Sequence, residues 1–209
     1  MALAEDLLVL LVGKSSGELP RRSGTQSALA AAVLVELVEC GRVVLDDQDL
    51  VHVVSAAPVG DPLLDGALGV LVEGLPVVDA VAGITPPGLY VWLLDRLVAR
   101  GILAPRARNF VPLGSKYVWR VVDTAPRERL RGWLAGVLAG HTALNQWSAA
   151  LISLLYAVNA VDVVVEGSDA FRRADEISRS GWAASAVVHP LIDRSHLFAD
   201  FSGMPGPMD

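Results

Sequence analysis

The chain has 209 residues, of which 53% are hydrophobic and 19% are charged, and its formal net charge at pH 7 is −6. This length fits one large domain or two small ones, and the apolar content is sufficient for a sizeable core. The negative charge argues against a general nucleic-acid binder, because contacts to phosphates need clustered positive charge.

Hydrophobic periodicity, helix caps and helix breakers predict a mainly α chain with short β-hairpins. In chain order, the predicted elements are a helix from residue 3 that passes into a strand near Leu10, a helix over Thr25–Glu39, a hairpin from residues 42–45 and 51–54, helices over residues 62–71 and 89–100, a ribbon of strands over residues 102–103 and 110–122, and helices over residues 126–139, 143–165 and 169–179. A polar loop covers residues 13–24, and Arg127 is expected on the exposed side of its helix.

Local signals mark the ends of several helices. Gly41 and Gly101 follow helices as C-terminal glycines, and Asp61 before Pro62 combines an N-cap with a first-turn proline. The single cysteine, Cys40, permits no internal disulfide, and we expect it to be a small buried hydrophobic side chain in a reducing cytosol.

The most apolar predicted helix, residues 143–165, is interpreted as a buried core helix. It contains Asn145, Asn159 and Asp162, whereas a membrane span needs about 20 mostly apolar residues without charges. No change of composition marks a linker, so we predict one compact domain.

The two ends of the sequence bear on the location of the protein and on the bounds of its domain. Glu5 and Asp6 precede the first apolar run and no basic segment stands before it, so no signal peptide is expected. We expect a soluble, cytoplasmic protein whose domain covers residues 1–202 and whose tail, residues 203–209, is flexible.

The ribbon is expected to turn at Gly114-Ser115, a glycine-first pair typical of a type II′ turn. That register places Phe110 opposite Trp119 and Pro112 opposite Tyr117. Aromatic side chains then share one face of the ribbon, and the proline makes its strand an edge strand.

Five sequence segments in a fixed order resemble the Golgi phosphoprotein 3 family. They are residues 3–12, Glu36-Leu37-x-x-x-Gly41-Arg42-Val43, Gly60-Asp61-x-Leu63-Leu64-Asp65-x-Ala67-Leu68, Leu97-Val98-x-x-Gly101-Ile102-Leu103 and Ala150-Leu151-Ile152. The match covers roughly residues 3–165, and its third segment is the most specific. The resemblance implies a buried helical core wrapped by amphipathic helices, and a protruding β-hairpin used in self-association.

The resemblance also implies a function. Eukaryotic members of the family bind phosphatidylinositol 4-phosphate at the Golgi membrane and help to retain glycosyltransferases there. We therefore expect a peripheral membrane-binding adaptor without enzymatic activity, a homo-oligomer that binds anionic lipid headgroups and an unidentified client protein on the inner face of the membrane. Fifteen of the 17 basic residues are arginine, a bias that is typical of a GC-rich genome, and we expect a bacterial member of the family.

This chain does not keep the residues that form the headgroup pocket in the family. The family uses a tryptophan and an arginine around the second helix, and two arginines at the start of the helix before the Gly-Ile-Leu turn. By alignment these positions fall near Arg21, on Ala30, and near Pro87 and Tyr90. None keeps the residue type of the family, so specificity for phosphatidylinositol 4-phosphate does not carry over residue by residue.

A basic segment offers other residues for lipid contact. Between Arg96 and Arg120 the chain has six basic residues and no acidic one. The predicted lipid-binding residues are Arg21, Arg22, Arg96, Arg100, Arg106 and Arg108. The residues predicted to contact the membrane or a second copy are Phe110, Val111, Tyr117 and Trp119. Basic side chains near an anionic leaflet contribute about 1 kcal/mol each, and aromatic side chains favour the membrane interface.

Three alternatives remain open at this point. The ribbon can be an ordinary solvated hairpin with its aromatic side chains on the core. Helix 89–100 followed by a hairpin also matches a winged-helix nucleic-acid binder, although few of its side chains are suited to reading bases. The fold can also act as an oligomeric scaffold without lipid binding.

The sequence predicts neither a catalytic residue nor a cofactor or metal ion. Asp61 and Asp65 are four residues apart, but capping accounts for the first and solvation or a local partner for the second. His189, Asp193 and His196 have helical spacing, but Pro190 interrupts that geometry, and nucleotide-binding and hydrolase motifs are missing.

Overall fold

The computed structural model describes residues 2–12, 24–85, 88–106, 118–180 and 187–188, apart from the side chains of residues 105, 106 and 118. The elements are α1 Leu3–Leu11, α2 Thr25–Glu39, β1 Val43–Leu45, β2 Leu50–Val53, α3 Pro62–Val70, β3 Leu75–Pro76, α4 Val77–Ile84, α5 Leu89–Ala99, β4 Leu103–Arg106, β5 Val118–Val121, α6 Ala125–Leu138, α7 Gln146–Ala157, a 3-10 turn at Val161–Val163 and α8 Ser168–Ser178. The prediction of a mainly α fold is confirmed.

Helices α1 and α2 form the centre of the core. Every residue of α1 is buried, and so are the residues of α2 from Ala28 to Leu37. The two helices pack on each other, and α3, α4, α5, α6 and α7 surround them. Each fully buried large aliphatic side chain in this core stabilises the fold by roughly 1.5–3 kcal/mol.

The strand predicted near Leu10 is wrong, because α1 continues as a helix to Leu11. A helix that is buried on all sides needs no polar face, so its sequence is continuously apolar and shows no helical period. The same apolar run is therefore compatible with a buried strand, and the period alone misleads.

The predicted core helix over residues 143–165 is divided in the structure. Helix α7 begins after Asn145, whose side chain accepts a hydrogen bond from the amide of Ser148 in a capping box. It ends at Ala157, and Asn159 has a positive φ of 52°, a conformation that asparagine tolerates better than most residues. The chain then forms the 3-10 turn, so the apolar segment folds back within the core.

The predicted ends of α2 and α5 are confirmed. Gly41 and Gly101 have φ values of 66° and 72°, in the left-handed region that favours glycine. In both cases the glycine amide donates to the carbonyl three residues earlier, and the next amide donates to the carbonyl five residues earlier. Each of these Schellman-type ends leads directly into a β-hairpin.

The two sheets are small and antiparallel. Strands β1, β2 and β3 lie in that order, which confirms the first hairpin, with Val44 opposite His52. Strands β4 and β5 form the second sheet, in which Trp119 lies opposite Pro105 and not Phe110. The predicted register is therefore wrong, because the amide of Val122 donates to the carbonyl of Ile102 (2.9 Å) and fixes the strands from the α5 end.

Two predictions of exposure are also wrong. Cys40 is exposed, because it is the C-cap of α2 and lies beyond the buried part of that helix. Arg127 is buried near the start of α6, although it was expected on the solvent side. The apolar stripe of α6 contains Leu134 and Val137, and helical geometry brings Arg127 to the same side of the helix.

Candidate functional site

The basic residues of α5 lie on one side of the helix, in a network with acidic residues from two other helices. The Nη1 and Nη2 atoms of Arg96 donate to Oδ1 and Oδ2 of Asp61, each at 2.8 Å. Its Nε atom donates to Oε1 of Glu5 at 2.5 Å. All three nitrogen atoms of this guanidinium are thus directed at carboxylates of the same chain.

Glu5 is the most deeply buried member of the network, with no exposed surface. Its second oxygen, Oε2, lies 3.1 Å from Nη2 of Arg100 without the alignment of a hydrogen bond. The Arg100 side chain is 41% exposed, so part of its guanidinium faces solvent. Two arginines therefore compensate the charge of one buried carboxylate, and Asp61 is a second carboxylate partner of Arg96.

Asp61 has two roles in this network. Its Oδ1 atom caps α3 by accepting from the amide of Leu63 at 2.8 Å, as the sequence predicted. The pKa of Asp61 lies below its usual range, mainly because Arg96 donates hydrogen bonds to the carboxylate. Since Arg96 lies on α5 and Glu5 on α1, the network joins three helices at one corner of the core.

A second buried carboxylate caps the start of α1. Oε1 of Glu36 accepts from the amide of Ala4 at 3.2 Å, where Ala2 offers no side-chain cap of its own. Burial raises the pKa of Glu36 to about 7. At neutral pH this group is therefore divided between its protonated and charged forms.

Trp92 lies on the exposed side of α5, next to the ion network. Its ring lies over the guanidinium of Arg96, with 5.6 Å from Cζ to the ring centroid, a cation–π contact. Trp92 and the neighbouring Val91 are both exposed large hydrophobic residues. An apolar patch thus lies one helical turn from Arg96 and two turns from Arg100.

The described part of the ribbon contains one exposed basic side chain, that of Arg120. Arg120 is exposed and lies opposite Ala104 in the sheet, while Trp119 is half-buried and packs against the core. For Arg106 the backbone in β4 is described, but not the side chain. The remaining predicted site residues, Arg21, Arg22, Arg108, Phe110, Val111 and Tyr117, lie outside the described residues.

The positions that align with the headgroup pocket of the family provide no such pocket among the described residues. Ala30 is fully buried in the middle of α2, where an arginine has no room. Tyr90 is half-buried, and burial raises the pKa of its hydroxyl to about 12. Arg21 and Pro87 lie outside the described residues.

Sequence reasoning missed the acidic partners of the basic segment. Asp61 was recognised only as a cap, and Glu5 only as an obstacle to a signal peptide. The usable signal for Glu5 was an acidic residue inside a run that is otherwise almost entirely apolar, since a carboxylate in such a run needs a cationic partner. Nothing in the local sequence indicates that this partner stands 91 residues later.

His52 also has partners that the sequence did not reveal. Its Nδ1 atom lies 2.7 Å from Oε1 of Glu73, and its Nε2 atom lies 2.9 Å from Oδ2 of Asp46. These hydrogen bonds, first the one to Asp46, raise the pKa of His52. The histidine thereby connects the β1–β2 turn to the segment between α3 and β3.

Within the described ranges, no group of three or more histidine, cysteine, aspartate or glutamate side chains is arranged to hold a metal ion. Asp65 accepts from the amide of Val59 at 2.7 Å and so has the local partner that the sequence allowed for. His189, Asp193 and His196 lie outside the described residues.

In the described part of the chain, no individual helix has both the length and the hydrophobicity needed to cross a membrane. Helices α4 and α5, which are inclined to each other by 60°, reach these limits only when they are taken together.

These features define a mainly α protein in which a partly buried ion network joins α1, α3 and α5. Comparison with known protein families matches residues 3–191 to Golgi phosphoprotein 3 (GPP34). The chain belongs to this family, which confirms the resemblance found in the sequence. The family is a non-enzymatic one of lipid-binding and adaptor proteins, which supports a non-enzymatic role at the level of the family. No curated protein matches the sequence.

Proposed function

We propose that this protein is a peripheral membrane adaptor that contacts anionic lipid through one side of α5 and the adjoining ribbon. The contacting residues are Val91, Trp92, Arg100, Arg120 and Val122, which we call the α5–ribbon face. The observation that carries the proposal is the exposure of large apolar side chains beside basic ones. Val91 is 53% exposed, Trp92 38% and Val122 52%, and both arginines are exposed.

The energetics favour shallow insertion with weak electrostatic attraction. Tryptophan is the side chain most typical of the membrane–water interface, and each basic residue near an anionic leaflet contributes about 1 kcal/mol. Arg96 contributes little to this attraction because Asp61 and Glu5 occupy its guanidinium. Arg100 is shared with Glu5, so Arg120 is the described cation of the face with the greatest freedom.

The proposed ligand is an anionic headgroup of no particular stereochemistry. Selective binding of phosphatidylinositol 4-phosphate needs several cationic side chains that converge on one phosphate. Ala30 and Tyr90 stand where such side chains align in the family, and neither is a cation. Phosphatidylglycerol or cardiolipin should therefore bind about as well as a phosphoinositide.

Vesicle co-sedimentation tests the proposal with two matched charge reversals. Arg120→Glu alters the proposed face, while Arg172→Glu makes the same change on α8, where the side chain is exposed and forms only surface ion pairs. We expect salt-sensitive binding to phosphatidylglycerol vesicles that Arg120→Glu and Trp92→Ser weaken and Arg172→Glu leaves unchanged. Equal binding to neutral vesicles, or equal losses in both charge reversals, would contradict the proposal.

We also propose that the protein self-associates through the ribbon. In the described residues β4 and β5 pair only with each other, so each strand has one edge without a strand partner. Open edges of this kind are templates for pairing with another chain. Replacing residues 111–118 with a short Gly-Ser turn should reduce the mass measured by light scattering to that of a monomer, and an unchanged mass would argue against the ribbon as the contact.

The winged-helix alternative finds little support in α5. Its buried side contains Leu93, Leu94 and Leu97, and its exposed side presents Val91, Trp92 and Asp95. A recognition helix instead presents several polar donors to base edges.

A further inference from the structure

Arg127 is a buried cation without a counter-ion in the part of the chain that the structure describes. The residue is only 9% exposed, and its Nε and Nη1 atoms are buried without a hydrogen-bond partner. Arg96 and Arg100, which are more exposed, by contrast face the carboxylates of Glu5 and Asp61. Arg42 also has a buried Nε atom without a hydrogen-bond partner, but that residue is only half-buried, so Arg127 is the most enclosed arginine among the described residues.

The surroundings make the charge more unfavourable still. Arg127 is the third residue of α6, a helix of 14 residues whose N-terminal end is positive because of the aligned peptide dipoles. Side chains on a helix lean toward its N-terminus, so the guanidinium is directed to that end. Burial, and then the charge of Arg131, lower the pKa of Arg127, and the negative charge of Glu128 only partly offsets them.

The two nearest carboxylates in sequence have other hydrogen bonds. Oε2 of Glu128 accepts from Nη1 of Arg131 at 3.2 Å, and Oδ1 of Asp123 accepts from the amide of Ala125 at 2.9 Å. Arg131 also donates from Nε to the carbonyl of Val163 at 2.7 Å, which fixes the first turns of α6 against the 3-10 turn. Among the described residues, neither carboxylate forms an ion pair with Arg127.

A buried charge without a partner is strongly unfavourable, and a bound anion removes this cost. We propose that the N-terminal end of α6 is an oxyanion site, in which Arg127 binds a phosphate group. A guanidinium offers paired donors to phosphate oxygens, and a helix N-terminus favours the same charge. The phosphate can be free or can be the phosphomonoester headgroup of a lipid such as phosphatidic acid.

The site is separate from the surfaces described above. Arg127 lies on α6, whereas the α5–ribbon face is formed by α5, β5 and the residue after it. It also differs from Ala30 and Tyr90, where the headgroup pocket of the family aligns. The oxyanion site therefore does not depend on the membrane function proposed above, and each can fail without the other.

Thermal unfolding of the whole chain in phosphate tests the site, with chloride at equal ionic strength as the reference. We expect phosphate to raise the Tm of the wild-type protein by about 2–4 °C, because a ligand that binds only the folded state stabilises it. Arg127→Met removes the charge and keeps a flexible side chain of similar length, so it should abolish the phosphate effect. Arg129→Met, at an exposed position of the same helix, is the control and should keep it.

The unliganded variants distinguish a binding role from a structural one. Removal of an unpaired buried charge should leave the Tm of Arg127→Met in chloride equal to or above that of the wild type, and Arg127→Lys should retain part of the phosphate effect. An equal phosphate effect in Arg127→Met and the wild type would overturn the proposal, and so would the lack of any phosphate effect in the wild type.

A vesicle experiment identifies the source of the phosphate. Vesicles that contain phosphatidic acid should bind the wild type more than Arg127→Met, and free phosphate should compete, if the ligand is a lipid headgroup. If only free phosphate stabilises the protein, the site takes a soluble anion. Both outcomes support the oxyanion site, whereas equal vesicle binding by the two proteins together with no response to free phosphate contradicts it.

Discussion

Arg96 and Asp61 face each other through two parallel hydrogen bonds of 2.8 Å, one from each terminal nitrogen of the guanidinium. The pair joins α5 to the first turn of α3, and its geometry is the bidentate one that planar guanidinium and carboxylate groups favour. Since Asp61 also caps α3, a single side chain couples the start of one helix to the side of another.

Two substitutions separate these roles. Asp61→Asn keeps an oxygen for the cap and loses the charge, so we expect the free energy of unfolding to fall by about 1–2 kcal/mol. Asp61→Ala loses the cap as well, which adds about 1 kcal/mol. Urea unfolding measures both, and equal stability of Asp61→Asn and the wild type would show that the ion pair contributes nothing.

Glu5 should be the most sensitive residue of the network. It has no exposed surface, and removing one member of a buried ion pair leaves the other uncompensated at a cost of about 3–5 kcal/mol. We expect a loss of about 3 kcal/mol for Glu5→Gln in urea unfolding. A double-mutant cycle with Arg96→Met should give a coupling energy of roughly 1–3 kcal/mol, and additive losses would contradict a direct interaction.

The raised pKa of Glu36 should make the stability of the protein depend on pH. Its pKa of about 7 in the folded state exceeds the ordinary value of 4.5, so between these values the folded protein binds more protons than the unfolded chain. Stability should therefore fall as the pH rises from about 4.5 to 7, by an amount on the order of 2–3 kcal/mol.

Glu36→Gln is the variant that tests this dependence, because the amide oxygen can still accept from Ala4. The free energy of unfolding should be measured for both proteins at pH 5 and at pH 8. We expect Glu36→Gln to exceed the wild type by more at pH 8 than at pH 5. A difference that does not change with pH would indicate that Glu36 does not titrate in this range.

His52 should titrate above 6.5, the ordinary value of its pKa. Only the imidazolium can donate from both ring nitrogens to Asp46 and Glu73, so the two carboxylates favour the protonated form. Its contribution to stability is complete below pH 6.5 and is lost as the pH rises through the raised value. In an NMR titration, Asp46→Asn should lower the midpoint of His52, whereas Asp79→Asn on α4 should not.

Two glycines of α6 should respond oppositely to alanine. A Cβ atom at Gly136 would lie 2.5 Å from Oγ1 of Thr142, while one at Gly132 meets no atom within 4 Å. Alanine in a helix interior is favoured over glycine by roughly 0.5–1 kcal/mol, so Gly132→Ala should stabilise the protein. Gly136→Ala should destabilise it, and adding Thr142→Ala should relieve the loss. Equal effects of the two single substitutions on Tm would contradict this contact.

The sequence predicted the elements whose signals are local. Thr25–Glu39 lies between a polar loop and Gly41, and Asp61-Pro62 carries its own cap, so both helices begin where they were expected. The prediction failed for α1, where burial on all sides removed the helical period, and at Asn159, where one residue in a left-handed conformation divides an apolar segment.

The candidate site was only partly predictable for a different reason. A run of basic residues around Arg96 and Arg100 is visible in the sequence, but their carboxylates stand at positions 5 and 61. The charge pattern of a single helix carries no information on contacts between residues that are 35 positions apart, as Asp61 and Arg96 are, or 91 positions apart, as Glu5 and Arg96 are. The unpaired charge of Arg127 was equally hidden. Its place on the apolar side of α6 follows from the helical spacing to Leu134, but its lack of a carboxylate partner depends on residues distant in sequence.

The position of α1 has a consequence for protein synthesis. This helix precedes the other described helices, yet its neighbours include α5, α6 and α7 as well as α2. At a translation rate of about 5–20 residues per second, α7 leaves the ribosome roughly 7–30 s after α1. Until α5 has been synthesised, α2 is the only one of these neighbours that can cover α1, so the apolar side chains of α1 stay partly exposed on the growing chain.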